Sequence, residues 1–318
     1  MSSSATSLRR VPVWVWRALM ANRAAGELRR FSADPIESVD YHDEIDYVGD
    51  GLATQRLDVI VPKGTLLTDT VERLPVYVYF HGGGWTSGDK AALTRYCASQ
   101  AVGGMVVVNV NYRMATQFHM EHILGDANSA VAWVIANIGR FGGDPERLVL
   151  GGDSAGGQIT ALLAATASQP ALAAHYSLVP SFAGSVIRGL VQHCSLVDFS
   201  VVFERGFILG KGFVRMLLPH RGKGLDLAVA SRYLSPIEWL GSAFPPVLVT
   251  TSRRDFFYRA NLNFIDALVR HRVPVQSLVD PVAQHTWQQD SRHPASRAVY
   301  ERLHAFVRQV TDRVATVG

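Results

Sequence analysis

The chain is poor in cysteine, with only Cys97 and Cys194 among 318 residues. Two thiols cannot make a disulfide framework, and they fit a reducing cytosol or indifference to redox state. Long apolar runs are also missing. Arg9 and Arg10 precede Val11-Pro12-Val13-Trp14-Val15-Trp16, the charged-then-apolar order of a signal peptide. Arg17 and Arg23 cut that run to about six residues, short of the roughly seven to fifteen of a signal core. It is further still from the roughly 20 residues of a bilayer span, and no later segment reaches that length. Trp14, Ala18, Met20 and Ala21 suit a short amphipathic helix instead, with interfacial membrane binding as the alternative. The expected location is cytoplasmic.

Charge of one sign is scarce as well. The formal net charge is +4, and the basic pairs Arg9-Arg10, Arg29-Arg30 and Arg253-Arg254 lack interleaved RNA-binding motifs. Nucleic acid is therefore a poor partner, while weak attraction to membrane surfaces or acidic substrates stays open. No pair of histidines or cysteines has the spacing of a zinc site. His119 and His122 stand three apart without a third or fourth ligand and read as a solvated loop. Neither a metal nor a cofactor is expected. There is no internal repeat and no low-complexity segment; a homodimer is left open.

What the chain does have is apolar content of 48% at this length, enough for one large α/β core with an appended segment. Arg56 to Val61 reads as an amphipathic strand after a Gly49-Asp50-Gly51 hairpin turn, and Val106 to Val110 as a strand covered on both faces. Asp126 is placed as the N-cap of a helix running through Val131, Val134 and Ile138. Gly152-Asp153-Ser154-Ala155-Gly156-Gly157 lies between the apolar run Arg147 to Gly151 and a helix-prone run from Gln158. A Gly-x-Ser-x-Gly core between strand and helix is the form of a nucleophile elbow, whose tightness demands small neighbours and lifts the serine hydroxyl from the sheet edge. An ordinary phosphate-binding turn is the blander reading.

A serine hydroxyl is a weak nucleophile and needs a base, a carboxylate to orient the base, and donors for the oxyanion. The donors are sought upstream, where Val76 to Phe80 reads as a buried strand followed by His81-Gly82-Gly83-Gly84-Trp85. Bare glycine backbone can approach a ligand that side chains would block. Gly82, Gly83 and Gly84 are the candidates, Gly83 and Gly84 foremost, together with the N–H of Ala155. His81 reads as a residue that orients the glycine loop rather than as the base.

At this point the chain resembles the hormone-sensitive-lipase-like esterases of the α/β-hydrolase superfamily. His81 to Trp85 is similar to their HGGGW signature and Gly152 to Gly157 to their GDSAGG elbow. Asn111 to Ala115 resembles the YRLA segment, and Phe244 to Thr250 the strand that carries the acid. The resemblance covers about residues 40 to 312. It implies a mostly parallel sheet flanked by helices, a Ser-His-Asp triad, no cofactor and a helical cap.

The chain order in such folds is serine, acid, histidine. Asp255 closely follows the buried strand Val247 to Thr251, whereas Asp266 lies in a helical pattern. Among the late histidines, His271 enters the last strand at the wrong edge and His304 sits in the C-terminal helix pattern. His285 follows the strand Val273 to Val279 and is the expected base, with His293 as fallback. The triad is thus Ser154, Asp255 and His285. Residues 40–195 and 237–318 form the expected catalytic domain; 1–39 and the Phe-rich 196–236 form the expected cap, with Arg205, Lys211, Arg215, Arg221 and Lys223 on its wet face.

Three departures from the family pattern stand out. The acid is followed by Phe256-Phe257-Tyr258-Arg259, without the usual proline and second aspartate. The histidine is followed by Thr286-Trp287 instead of Gly-Phe, and Thr116 to Met120 replace a proline-rich turn. Phe256, Phe257, Tyr258 and Trp287 would crowd the leaving-group pocket with aromatic surface. The expected activity is hydrolysis of short-to-medium acyl or aryl esters, a small-molecule substrate class. An amidase or arylformamidase, which Thr86 to Asp89 also resembles, is the alternative; a non-catalytic small-ligand receptor on this fold is less favoured because His285 is present.

Overall fold

The computed structural model describes residues 35–65, 72–205, 207 and 210–312, with positions 12–15, 17–19, 22 and 26. Eight strands among them form one sheet: β1 (Val39–Asp46), β2 (Arg56–Pro62), β3 (Leu74–Phe80), β4 (Val106–Val110), β5 (Gly143–Asp153), β6 (Ile187–His193), β7 (Val247–Ser252) and β8 (Val275–Asp280). Their spatial order is β1-β2-β4-β3-β5-β6-β7-β8. β2 runs antiparallel to both of its neighbours, β1 and β4, and the other pairings are parallel.

The inner strands are almost wholly buried on both faces, as parallel strands require when helices cross over them, while the edge strands β1 and β8 are partly exposed. Along β3 the side chains of Val76, Val78 and Phe80 enter one core, while Tyr77 and Tyr79 enter the other. The first core is closed by α2 (Met120–Asn137), α3 (Ala155–Thr166) and α7 (Tyr258–Arg270) through residues such as Ile123, Ile159 and Phe264. The second is closed by α1 (Thr94–Ala101) and α8 (Ser296–Thr311) through Tyr96, Cys97 and Phe306. A short α4 (Pro170–His175) follows α3, and α5 (Lys211–Leu217) and α6 (Leu227–Leu234) lie between β6 and β7. No helix among the described residues is long and apolar enough to cross a membrane.

Three local expectations change. Leu57 to Val61 are all buried, so β2 is not amphipathic; it lies inside the sheet between β1 and β4, and its Asp58 is matched by the buried Lys90 at 2.6 Å. Asp126 does not cap a helix. α2 begins six residues earlier, and the Asp126 carboxylate instead accepts from the Arg113 guanidinium and from Gln55 Nε2, at 2.6 and 2.7 Å. Pairing with a charge is what a carboxylate needs when buried inside a helix. His119 and His122 stand at the start of that helix with ring centroids 4.2 Å apart, not in a solvated loop.

A polar chain runs through the second core. The hydroxyls of Tyr77 and Tyr96 lie 3.3 Å apart, and Tyr96 meets His193 Nε2 at 2.8 Å. His193 Nδ1 meets Thr250 Oγ1 at 2.7 Å, and that oxygen also accepts from Gln288 Nε2 at 2.7 Å. Burial pushes the His193 imidazole down from 6.5 to about 3. Between those values the unfolded chain binds a proton that the folded chain excludes, so stability rises with pH across this window and is lost as pH falls. Urea unfolding at about pH 4 is expected to show a loss on the order of 3 kcal/mol from this group. The fall should be shallower in His193→Gln; equal slopes for the two proteins would contradict it.

Candidate active site

The parallel strands end together, and the residues singled out in the sequence follow those ends. Phe80 pairs with Gly152, Asp153 with His193, His193 with Thr250, and Ser252 with Asp280. Ser154 follows β5, Asp255 follows β7 and His285 follows β8. Open parallel sheets present their ligand crevice beyond the carboxyl ends of the strands.

Ser154 has φ 51° and ψ −110°, a conformation that side-chain-bearing residues adopt only when their surroundings impose it. Its N–H is tied to the His193 carbonyl at 2.8 Å. Close backbone contact also explains the flanking glycines. A Cβ on Gly156 would lie 1.9 Å from the Phe80 carbonyl oxygen, and one on Gly152 would lie 2.4 Å from the carbonyl carbon of Gly156. The Ser154 hydroxyl makes no hydrogen bond to another described residue. Catalytic hydrogen bonds often tighten only once substrate is bound.

Asp255 and His285 do come together, with Nδ1 2.5 Å from Oδ2. The Asp255 side chain is fully buried, and its other oxygen accepts the Phe257 N–H at 2.6 Å. The carboxylate is thereby fixed in direction. Because a carboxylate only accepts, the ring proton belongs on Nδ1 and the lone pair on Nε2. His293 instead accepts from the Ala295 N–H at 3.2 Å, and His304 meets Gln100 at 3.1 Å. Neither competes for Asp255. Asp266 is exposed on α7.

The glycine loop separates into supports and free donors. Gly82 was among the expected oxyanion donors, and here the expectation is corrected: its N–H is committed to Asp153 Oδ1 at 2.9 Å, an oxygen that also accepts from Tyr79 at 2.9 Å. The N–H groups of Gly83, Gly84 and Ala155 have no acceptor among the described residues. Gly83 has φ +104°, and a Cβ there would lie 2.0 Å from the Ser87 carbonyl oxygen. Trp85 anchors the far side, donating to Gln158 Oε1 at 3.0 Å, while Gln158 donates to the Leu234 carbonyl at 2.8 Å. His81 stacks on Tyr112 at 4.5 Å and its Nδ1 lies 2.7 Å from the Gly82 carbonyl. Burial pushes the His81 imidazole below its usual value, which suits a loop support.

The aromatic residues after the acid and the histidine divide. Phe256 is half exposed and its ring lies 4.1 Å from that of His285. Phe257 is buried against Phe207 and Phe213, at 6.0 and 6.5 Å. Trp287 does not crowd the site; it is buried with Cys194, Ala283 and Val299. Phe199 and Phe213 also lean on Trp85, at 5.8 and 5.7 Å. Arg205, Lys211, Arg215, Arg221 and Lys223 are all exposed. Most of residues 1–39 lies outside the described residues; within it Val13 packs on the first core and Arg17 Nη1 donates to Thr116 Oγ1 at 3.4 Å.

Sequence reasoning missed Asp153, Gln158 and Gln288. Asp153 carried a visible signal, an acidic residue at a strand end directly before the elbow serine. Gln158 and Gln288 gave none, since their partners lie 73 and 38 residues away. Asp153→Ala releases the loop that carries the free donors. A misplacement of about 1 Å at such a site costs on the order of 10²-fold. Ester turnover in D153A is therefore expected to fall about that far in kcat with KM little changed, and Asp153→Asn, which keeps an acceptor, to recover part of it. A folded D153A with wild-type kcat would contradict this role.

Residues 77–289 match the alpha/beta hydrolase fold family. The chain is 29% identical over 221 residues to the carboxylesterase NlhH of Mycobacterium tuberculosis, a stretch covering 67% of this chain. It spans 66% of that relative, just under two thirds of its length. Esterase B from Lactobacillus rhamnosis superposes with a TM-score of 0.81 at 20% identity, over 94% of this chain and 95% of that one. The esterase of Pyrobaculum calidifontis superposes with a TM-score of 0.70 at 23% identity, over 94% of each chain. At those identities the two structures speak for the fold alone. The chain belongs to the alpha/beta hydrolase fold family, within its hormone-sensitive-lipase-like esterase group.

Proposed function

We propose that this protein is a serine carboxylesterase that hydrolyses short-to-medium acyl or aryl esters through Ser154, His285 and Asp255. The observation that carries the reading is the Asp255–His285 hydrogen bond at 2.5 Å, made from loops that leave the same sheet edge as the strained Ser154. The carboxylesterase to which the chain is related points the same way.

In this mechanism Nε2 of His285 takes the Ser154 proton as the hydroxyl attacks the ester carbonyl. Asp255 holds the tautomer and stabilises the imidazolium that forms. The amides of Gly83, Gly84 and Ala155 receive the oxyanion, where each donor is worth on the order of 10²–10³ in rate. The alcohol leaves with the proton from His285, and water activated by the same imidazole releases the acid. Phe199, Phe207 and Phe213 of segment 196–236 serve as a cap, excluding water and contacting the acyl or aryl group. The N-terminal segment is assigned to the same cap; its Val13 packs on the first core and its Arg17 donates to Thr116.

Burst kinetics with p-nitrophenyl acetate through laurate, beside a matched aryl formamide, test the assignment. Wild type is expected to turn over the esters and to be labelled by a fluorophosphonate at Ser154. Ser154→Ala is expected to lose on the order of 10⁴–10⁶ in kcat. Equal rates for wild type and S154A would overturn the reading, and faster turnover of the formamide would move the protein to the amidases.

A further inference from the structure

We propose that Cys194, Asp255 and His285 form a binding site for a thiophilic divalent cation, Zn²⁺ foremost, and that its occupation switches the enzyme off. The Cys194 sulfur, an Asp255 carboxylate oxygen and a His285 ring nitrogen all lie within 4.8 Å of one another. Sulfur, oxygen and imidazole nitrogen are the donors that zinc takes, at roughly 2.0–2.3 Å. A tetrahedral zinc with such bonds separates its ligand atoms by about 3.3–3.6 Å, so side-chain shifts of about an ångström close the site.

Four further features favour it. Thiolate and carboxylate together balance the dication, so no net charge is left in a dry interior. The sulfur already receives the Gln288 Nε2 donor at 3.5 Å, the kind of outer contact that holds a metal thiolate. Cys194 itself is fixed at φ 51°, directly after β6, with its N–H on the Thr250 carbonyl at 2.8 Å. His285 is the partly exposed member, and it provides the way in. No sequence spacing could reveal the set, because its members follow three different strands.

Binding replaces the Asp255–His285 hydrogen bond and releases the thiol proton to solvent. Metal on Nδ1 forces the remaining ring proton onto Nε2, so the ring cannot accept the proton of Ser154. That consequence rests on the proposed role of His285; the site itself does not. kcat should therefore fall while KM holds.

The test uses the full chain with two probes, Co²⁺ for spectroscopy and Zn²⁺ for kinetics. One equivalent of Co²⁺ is expected to give a thiolate-to-cobalt charge-transfer band, lost on adding Zn²⁺ or EDTA. Zn²⁺ should lower kcat reversibly. Cys194→Ala and the near-isosteric Cys194→Ser should lose the band and need at least about 10-fold more Zn²⁺ for equal inhibition. The second variant serves if circular dichroism shows the first misfolded. No band in the wild type, a band that survives in C194S from Cys97, or unchanged zinc sensitivity would overturn the site. A band in a protein without esterase activity would leave the site standing and fell the esterase assignment alone.

Discussion

The contact on which the site rests is the passage of the β3 end against the start of α3. The Phe80 carbonyl oxygen reaches so close to Gly156 that even a methyl group there would overlap it. That proximity puts the glycine loop and the elbow in one place, and a single side chain then locks them together. Asp153, the last residue of β5, accepts from Gly82 in the loop and from Tyr79 beneath it. The amides of Gly83 and Gly84 in the glycine loop and of Ala155 at the elbow stay without an acceptor among the described residues, on two pieces of backbone that these constraints hold together. Preorganised donors of this kind need no rearrangement when charge develops, which is why rigid packing beneath them matters as much as the donors.

A second constraint acts from the opposite face of the sheet. His285 lies in a loop, and loops are mobile unless tethered. The tether is Gln288, three residues on, whose side chain is buried against Thr250 and Cys194. Tyr300 of α8 adds a hydrogen bond to the Gln288 carbonyl at 2.7 Å. The imidazole is thus placed by a polar network reaching back through His193 and Tyr96 into the core. Such a network is costly when incomplete and rigid when satisfied. Burial holds His193 neutral at the centre of this network, with its imidazole pushed down to about 3.

How much of this was legible depended on the range of the interaction. The strands before the glycine loop, the elbow and the acid could be read from short apolar runs, because burial on both faces leaves a local compositional mark. Asp255 follows such a run, β7, whereas His285 follows the partly exposed edge strand β8, so its position was read from chain order and the loop after that strand. Asp126 misled because an aspartate ahead of an apolar helical pattern is a good local cap. Its partner, Arg113, belongs to the segment after β4, and the pairing appears only when the chain folds back. Gly82 misled differently. Three adjacent glycines are equivalent in sequence, and only the Asp153 carboxylate distinguishes the one already engaged.

The aromatic residues around the site obey the same division between local pattern and tertiary contact. Phe256, Phe257 and Trp287 looked alike as crowding side chains, yet the fold gives each a different neighbour. Phe257 joins Phe207 and Phe213, so the loop bearing the acid is packed directly against the 196–236 segment. Phe213 and Phe199 also press on Trp85, which closes the glycine loop. One segment therefore touches both the loop after β7 and the glycine loop through aromatic rings. Displacement of that segment cannot leave either loop untouched, since close-packed side chains transmit strain instead of absorbing it. The segment is thus coupled to both loops by packing, and the Leu196 N–H adds a hydrogen bond to the Ser154 carbonyl at 3.4 Å.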